Sequence, residues 1–368
     1  MYINRRDFLK KTAAFIGAGV VPRNAAASEA STIPERVLGR TGIAVTVLGY
    51  GAMQCADPGA IRFGIDSGIS YIDTACCYIG GRNEKIVGQA IAGVRGKVFI
   101  ATKVHISSES RMRKSVARSL ASLGVDRIDL LQLHGISSRD QIVRKDVQGI
   151  LRNLQQEGKI RFAGVTTHSR QVEVLRAVME DGFYDTVLVA VNYRSPRTLF
   201  EAIEEAAQKG VGIIAMKTQN GGFREETRPE LTPHQAALRY VLEKPGVHLA
   251  VPGMLSRSMV KENTAAVKGK GGLGDLVILE VLRGGFDGKA CAFCSRCIDQ
   301  CRYGTGGLDA VRVGMYLEGY RDSDLAKENA RAAAQTIGNC IRCEKCTVRC
   351  SQSIDIKAAA KLAAPYLL

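Results

Sequence analysis

The stretch Val98–Leu133 decides the fold: Val98-Phe99-Ile100-Ala101-Thr102 at one end, Ile128-Asp129-Leu130-Leu131-Gln132-Leu133 at the other, and a helix-length segment between. Both end runs are apolar almost throughout, as strands covered on both faces are. In the middle, Val116, Leu120 and Leu123 recur at three- and four-residue spacing, and Gly124 stands where a helix should stop. A buried strand, a helix and a second buried strand make a βαβ unit, and so a parallel sheet rather than a hairpin.

Outward from this unit the pattern repeats. Strand-like runs fall at Val45–Leu48, Ser70–Asp73, Phe162–Val165, Val187–Val191, Gly212–Met216 and Val247–Val251, which brings the total to eight. Helical patterns lie between them, such as Leu151 and Leu154 ahead of the polar Gln155-Gln156-Glu157, with Gly158 and Gly210 as further stops. Eight strands alternating with eight helices suit a closed (β/α)8 TIM barrel or a large doubly wound α/β sheet, and periodicity does not separate the two. No Gly-x-Gly-x-x-Gly follows any strand, which counts against a dinucleotide fold of the Rossmann kind. The barrel region is expected over residues 35–267. A Gly-rich joint at 268–274 follows, and residues 275–368, with a different composition, form a further domain.

The N-terminus reads Asn4-Arg5-Arg6-Asp7-Phe8-Leu9-Lys10-Lys11, then an apolar stretch Thr12–Val21, then Ala25-Ala26-Ala27. This is a charged region, an apolar region too short to span a bilayer, and a small-residue cleavage site. The Arg5-Arg6 pair with Phe8-Leu9-Lys10 resembles the twin-arginine export signal, which implies a signal peptide over 1–27 and a periplasmic protein that meets the membrane only through that signal. The alternative is an ordinary basic arm on a cytoplasmic protein. The formal charge of +15 is dispersed. Arg5, Arg6, Lys10, Lys11 and Arg23 carry five of the positive charges within the leader, and no basic stripe follows, so a nucleic-acid partner is not expected.

Eight of the eleven cysteines form two runs of identical spacing, Cys291-x-x-Cys294-x-x-Cys297-x-x-x-Cys301 and Cys340-x-x-Cys343-x-x-Cys346-x-x-x-Cys350. Three thiolates three residues apart on a tight loop can cap three corners of an iron-sulfur cubane. The tail resembles a dicluster ferredoxin domain, which implies two 4Fe-4S clusters with crossed ligand sets. Cys291, Cys294, Cys297 and Cys350 would hold one, and Cys340, Cys343, Cys346 and Cys301 the other. Arg302 and Ser351 replace the proline usual after the fourth cysteine. The long helical pattern between the runs, including Leu325 through Ile337, points to a mainly α-helical ferredoxin domain rather than the compact β-hairpin kind. Structural zinc and disulfides are the competing readings. Zinc has no need for four cysteines in one run, and disulfides fit poorly with export of a folded protein.

In the barrel region, Asp73 and Tyr78 follow the second strand, Lys103 the third and His134 the fourth, at the rim where barrel enzymes place their chemistry. The stretches Tyr71-Ile72-Asp73-Thr74-Ala75-Cys76-Cys77-Tyr78, Ile100-Ala101-Thr102-Lys103 and Asp129-Leu130-Leu131-Gln132-Leu133-His134 resemble the aldo-keto reductases. So do Arg36-Val37-Leu38-Gly39-Arg40-Thr41-Gly42 and Gly81-Arg82-Asn83-Glu84. The resemblance implies a barrel fold, an NADP or NAD cofactor, and reduction of a small carbonyl or oxidation of an alcohol. Tyr78 would be the proton donor, with Lys103 beside the phenol favouring phenolate, Asp73 pairing the lysine, and His134 orienting the substrate oxygen.

The same resemblance places Thr166 and Thr167 at the nicotinamide amide, Asn192, Met216 and Lys217 at later strand ends, and Gly253, Glu262 and Asn263 toward the adenosine. Leu188 stands at the usual carboxamide-binding glutamine position, and Met259 replaces a polar residue near the adenosine phosphate. Cys76 and Cys77, just before Tyr78, are read as packing residues. The expected protein is an exported oxidoreductase whose clusters pass electrons to or from a partner protein. The rival reading is an electron-transfer or partner-binding subunit with a non-catalytic barrel.

Overall fold

The computed structural model describes residues 32–220, 232–269, 272–285, 291–304, 307–319 and 323–367. The proposed signal at 1–27 lies outside them. A short antiparallel hairpin comes first, β1 (Glu35–Val37) against β2 (Ala44–Thr46), with Arg36 opposite Val45. There follow β3 (Tyr50–Gly51), α1 (Pro58–Asp66), β4 (Tyr71–Asp73), α2 (Asn83–Ile91), β5 (Phe99–Val104), α3 (Glu109–Leu123) and β6 (Ile128–Leu133). Next come α4 (Arg139–Ile142), α5 (Lys145–Gln156), β7 (Ile160–Thr167), α6 (Gln171–Asp181), β8 (Thr186–Ala190), α7 (Arg197–Gln208), β9 (Gly212–Met216), α8 (Pro233–Leu242), β10 (Leu249–Ala250) and α9 (Arg257–Lys268).

Strands β3 to β10 pair in sequence order, each parallel to the next. Bridges Leu48–Ala250 and Gly51–Gly253 join the last strand to the first. This closure decides what periodicity left open: the sheet is an eight-stranded barrel. All six positions of β5 and of β6 are buried, as strands with helices on one side and barrel core on the other must be.

The expected first strand, Val45–Leu48, splits. Its start belongs to the hairpin, while its end, Val47 and Leu48, already pairs with Ala250 in the barrel wall. The reason is packing: Leu38 and Val45 are fully buried and plug the floor of the barrel against Tyr71, Phe99, Leu130, Leu188, Ile214 and Leu249. Helix ends follow the sequence signals more closely. Gly124 and Gly210 both sit at positive φ, where a side chain would be strained.

The C-terminal part is helical, as expected. It comprises α10 (Leu273–Gly285), α11 (Arg296–Gln300), α12 (Leu308–Gly314), a π turn at Met315–Gly319, α13 (Ser323–Ala332), α14 (Ala334–Arg342) and α15 (Ile356–Ala363). Ala310, Val313, Tyr316, Ala326, Ala330, Ile337 and Ala360 form its core. It is not a detached domain, because Ile33–Leu368 makes one compact unit. The segment expected as a joint already contains the start of α10. That helix is clamped to α8 by a buried two-pronged pair, Arg239 Nε and Nη2 each 2.6 Å from Asp275. Leu279 packs there against Tyr193, Ala236 and Ala237. Farther on, Ser295 Oγ accepts from the Arg170 amide at 2.8 Å and Gln352 Oε1 from Arg194 Nε at 2.9 Å, so both cysteine-bearing loops rest on barrel loops. Among the described residues no helix is long and apolar enough to cross a membrane.

Candidate active site

Three successive strands deliver the four residues expected from the sequence. Asp73 ends β4, Lys103 lies near the end of β5, His134 follows β6, and Tyr78 sits on the loop after β4. That loop is fixed by Asn83, whose Nδ2 donates to the carbonyls of Ala52 (2.8 Å) and Cys55 (3.1 Å) and whose Oδ1 accepts from Thr74 Oγ1 at 2.7 Å. Lys103 is 1 % exposed and Asp73 5 %. The lysine donates to the Asp73 carboxylate and to the Thr74 carbonyl at 2.7 Å, and Gln132 Nε2 donates to Asp73 Oδ2 at 3.2 Å. Lys103 Nζ stands 4.8 Å from the centre of the Tyr78 ring, and the Tyr78 and His134 rings meet edge to face at 6.1 Å. The four residues therefore converge.

Lys103 binds Asp73 and Thr74 and also stands over the phenol ring. Burial, reinforced by Asp73, Cys77 and Tyr316, holds the Tyr78 phenol well above its ordinary pKa. Tyr78 thus keeps its proton, as a proton donor must. Burial also raises the Asp73 pKa, against the pull of Lys103 and Gln132. His134 is held well below the usual imidazole value, by burial first and then by Lys103, His105 and Arg312, so it is neutral.

These residues open on a cavity of about 520 Å³. Its barrel wall includes Tyr78, His134, His168, Met216, Lys217 and Gly253, and the C-terminal helices supply Arg312, Tyr316, Glu328 and Asn329. A larger, shallower hollow of about 770 Å³ lies at the opposite end of the strands, beside Phe99 and Asp126, away from the four residues. Tyr316 projects from the π turn. Its oxygen lies 3.3 Å from Lys217 Nζ, which also stands 4.8 Å over its ring. Burial raises the pKa of this phenol, but Lys217 and Arg312 outweigh it and leave the pKa below its ordinary value. Sequence reasoning missed His105, His168, Arg312, Tyr316 and Glu328. The two histidines had a signal, since Lys103-Val104-His105 and Thr167-His168 lie at strand ends.

Of the expected cofactor residues, Met216, Lys217 and Gly253 line the cavity. Thr166 and Thr167 are buried and bonded within the protein, Thr166 Oγ1 accepting from the Gly135 amide at 2.9 Å and Thr167 Oγ1 donating to the Ser169 carbonyl at 2.8 Å. Asn192 is buried, 3.4 Å from Asn220. Asn263 accepts from Gln219 at 2.7 Å, and Glu262 lies 3.5 Å from His234; Gln219 and His234 are themselves in the cavity wall. Leu188 faces the barrel floor. Cys77 does not pack in the core but borders the cavity, its sulfur 3.7 Å from His134 Nδ1.

In the tail, burial and the neighbouring sulfurs of Cys297, Cys294 and Cys350 push Cys291 up to about 12, and Cys297 responds likewise to burial, Cys294 and Cys350. Backbone amides of Phe293 and Gln352 point at the sulfurs of Cys291 (3.3 Å) and Cys350 (3.4 Å). Phe293 and Ser295 adopt positive φ, which coils the first loop around this group. At the second run, Lys357 Nζ caps the carbonyls of Cys340, Ile341 and Cys343 at 3.0, 3.1 and 2.6 Å. Arg302, next to Cys301, lies beside Cys343. Cys350 of the second run thus stands near the first run, and Arg302 of the first near the second.

A model of the Aldo/keto reductase family matches residues 60–231. L-galactose dehydrogenase of Arabidopsis thaliana is 30% identical over 281 residues, which cover 63% of this chain and 87% of that protein. The methylglyoxal reductase of Escherichia coli is 25% identical over 240 residues, 60% of this chain and 82% of that protein. The structure of an aldo-keto reductase from Klebsiella pneumoniae in complex with NADPH superimposes with a TM-score of 0.58 at 28% identity, over 67% of this chain and 94% of that one. Barrel topology, converging rim residues and these likenesses agree: the chain is an oxidoreductase of the aldo/keto reductase family.

Proposed function

We propose that this chain reduces a small carbonyl, or oxidises the corresponding alcohol, in the periplasm after twin-arginine export, with two 4Fe-4S clusters passing electrons to or from a partner protein. The observation that carries the catalytic part is that Asp73, Tyr78 and His134 line one cavity with Lys103 buried behind them, bonded to Asp73 and over the Tyr78 ring. His134 hydrogen-bonds the substrate oxygen and sets its approach. Tyr78, kept neutral by burial, gives its proton to the oxygen as negative charge develops there. Lys103, over the ring, stabilises the tyrosinate left behind, and Asp73 holds the lysine in place. Helices from the C-terminal part line one side of the cavity.

A bound nicotinamide, NADP or NAD, supplies hydride. The residues fit one: the cavity runs from Tyr78 past Met216 and Lys217 to Met259, and a methyl group built on Gly253 would meet no atom within 4 Å. Gln219 with Asn263, and His234 with Glu262, stand at the far end. The tail cysteines fit cubanes through the neighbours and amide-to-sulfur contacts described above; each such cluster carries one electron at a time, so exchange with hydride takes a redox group able to split an electron pair, such as a flavin, supplied from outside this chain. Loading before export and retention afterwards explain how a nicotinamide would reach the periplasm.

Denaturing the natively exported protein and weighing what it releases tests this reading, together with NADPH-dependent reduction of a carbonyl panel headed by methylglyoxal. Released nicotinamide and turnover that Tyr78→Phe removes are the expected results. Neither nicotinamide nor turnover would favour the non-catalytic scaffold.

A further inference from the structure

Two residues that the reaction does not use, Cys77 and His105, stand beside the catalytic His134. Cys77 Sγ is 3.7 Å from His134 Nδ1, and with a ring nitrogen of His105 the three ligand atoms all lie within 4.8 Å of one another. All three residues border the cavity. Tetrahedral zinc, with bonds of about 2.3 Å to sulfur and about 2.0 Å to nitrogen, sets sulfur and nitrogen about 3.6 Å apart. We propose that Cys77, His105 and His134 bind one zinc ion, with the fourth position open to the cavity.

The imidazoles of His105 and His134 are stacked, centres 4.7 Å apart and 22° from parallel. Closing on an ion therefore requires His105, which is exposed, to turn about its side-chain bonds while the more buried pair stays in place. Lys103 and Arg312 face this group and oppose a dication. Burial, Cys76 and Glu328 push the Cys77 thiol up to about 12, so binding must displace its proton; once displaced, the sulfur offsets one positive charge, and Glu328 in the same cavity wall favours a cation. Three protein ligands and one open position is the pattern of zinc sites that bind water or a substrate oxygen. In terms of the function proposed above, an ion here would share the oxygen site with His134, so zinc and substrate binding are linked.

Two measurements on the exported holoprotein test the site without turnover, so their outcome is independent of the oxidoreductase reading. One is zinc affinity by competition with a chromophoric chelator, with tail-bound metal counted separately by iron analysis. The other is the rate at which iodoacetamide alkylates Cys77, read by peptide mass. One zinc per chain is expected beyond the tail, slowing Cys77 alkylation at least about tenfold, and Cys77→Ser and His105→Ala should each weaken binding about 100-fold. His105→Asn serves as a second variant should alanine disturb the loop. Zinc bound equally well by all variants, or Cys77 alkylated at the same rate with and without zinc, would overturn the proposal.

Discussion

Tyr78 and Lys103 do different jobs, and substitution should separate them. Tyr78→Phe keeps the ring and its packing, so turnover should drop by about two to four orders of magnitude while the urea midpoint barely moves. Lys103→Met should lose activity and also cost about 3–5 kcal/mol of stability, because Asp73 would be left buried without its cation. The Asp73→Asn/Lys103→Met double variant should recover most of that stability and none of the turnover. Equal stability of Lys103→Met and wild type would show that the buried pair is not a structural element. The depressed histidines give a pH test. Unfolded, His134 and His168 take up protons near the ordinary imidazole value of about 6.5; folded, they resist until lower pH. Their contribution is therefore present above about pH 6.5 and lost as pH falls below it, by up to about 1.4 kcal/mol per pH unit for each. Urea midpoints at pH 7.5 and 5.5 should show this fall, and His168→Gln should make it shallower. The four catalytic candidates were legible because specific residue types stand at successive strand ends. That Lys103 stands over the ring of Tyr78 was not legible, since it depends on where the ammonium points.

At the scale of elements, continuous apolar runs mark strands well, and β6 and β9 run over the residues expected. The start of the first strand was misplaced because Val45, apolar and β-branched, serves the floor plug and not the barrel wall. Nothing in a four-residue run distinguishes those fates. The expected joint at 268–274 shows the opposite failure: its glycines suggest freedom, but one residue beyond it Asp275 fastens α10 to α8 through Arg239. Arg239→Met leaves Asp275 buried and unpaired, with an expected loss of about 3–5 kcal/mol. Limited proteolysis should then cut near residues 268–273 before any barrel loop. Cleavage no faster than in wild type would mean that Leu279 and its apolar neighbours hold α10 without the ion pair.

For the whole molecule, the decisive fact is that the C-terminal helices share a cavity with the barrel. Arg312, Tyr316, Glu328 and Asn329 carry no motif, and their approach to Tyr78 comes from chain packing far apart in sequence, so it could not be read in advance. The cysteine runs differ: their spacing is itself the motif, and the cubane reading rests on it. Export belongs to this scale too. Arg5-Arg6→Lys-Lys should hold the protein in the cytoplasm, and an unchanged periplasmic yield would mean a different route. The central claim is that a barrel oxidoreductase here carries its own electron-transfer clusters, and metal analysis of anaerobically purified protein tests it most directly. About eight iron and eight acid-labile sulfide per chain are predicted; iron near zero with stoichiometric zinc on the tail cysteines would contradict it.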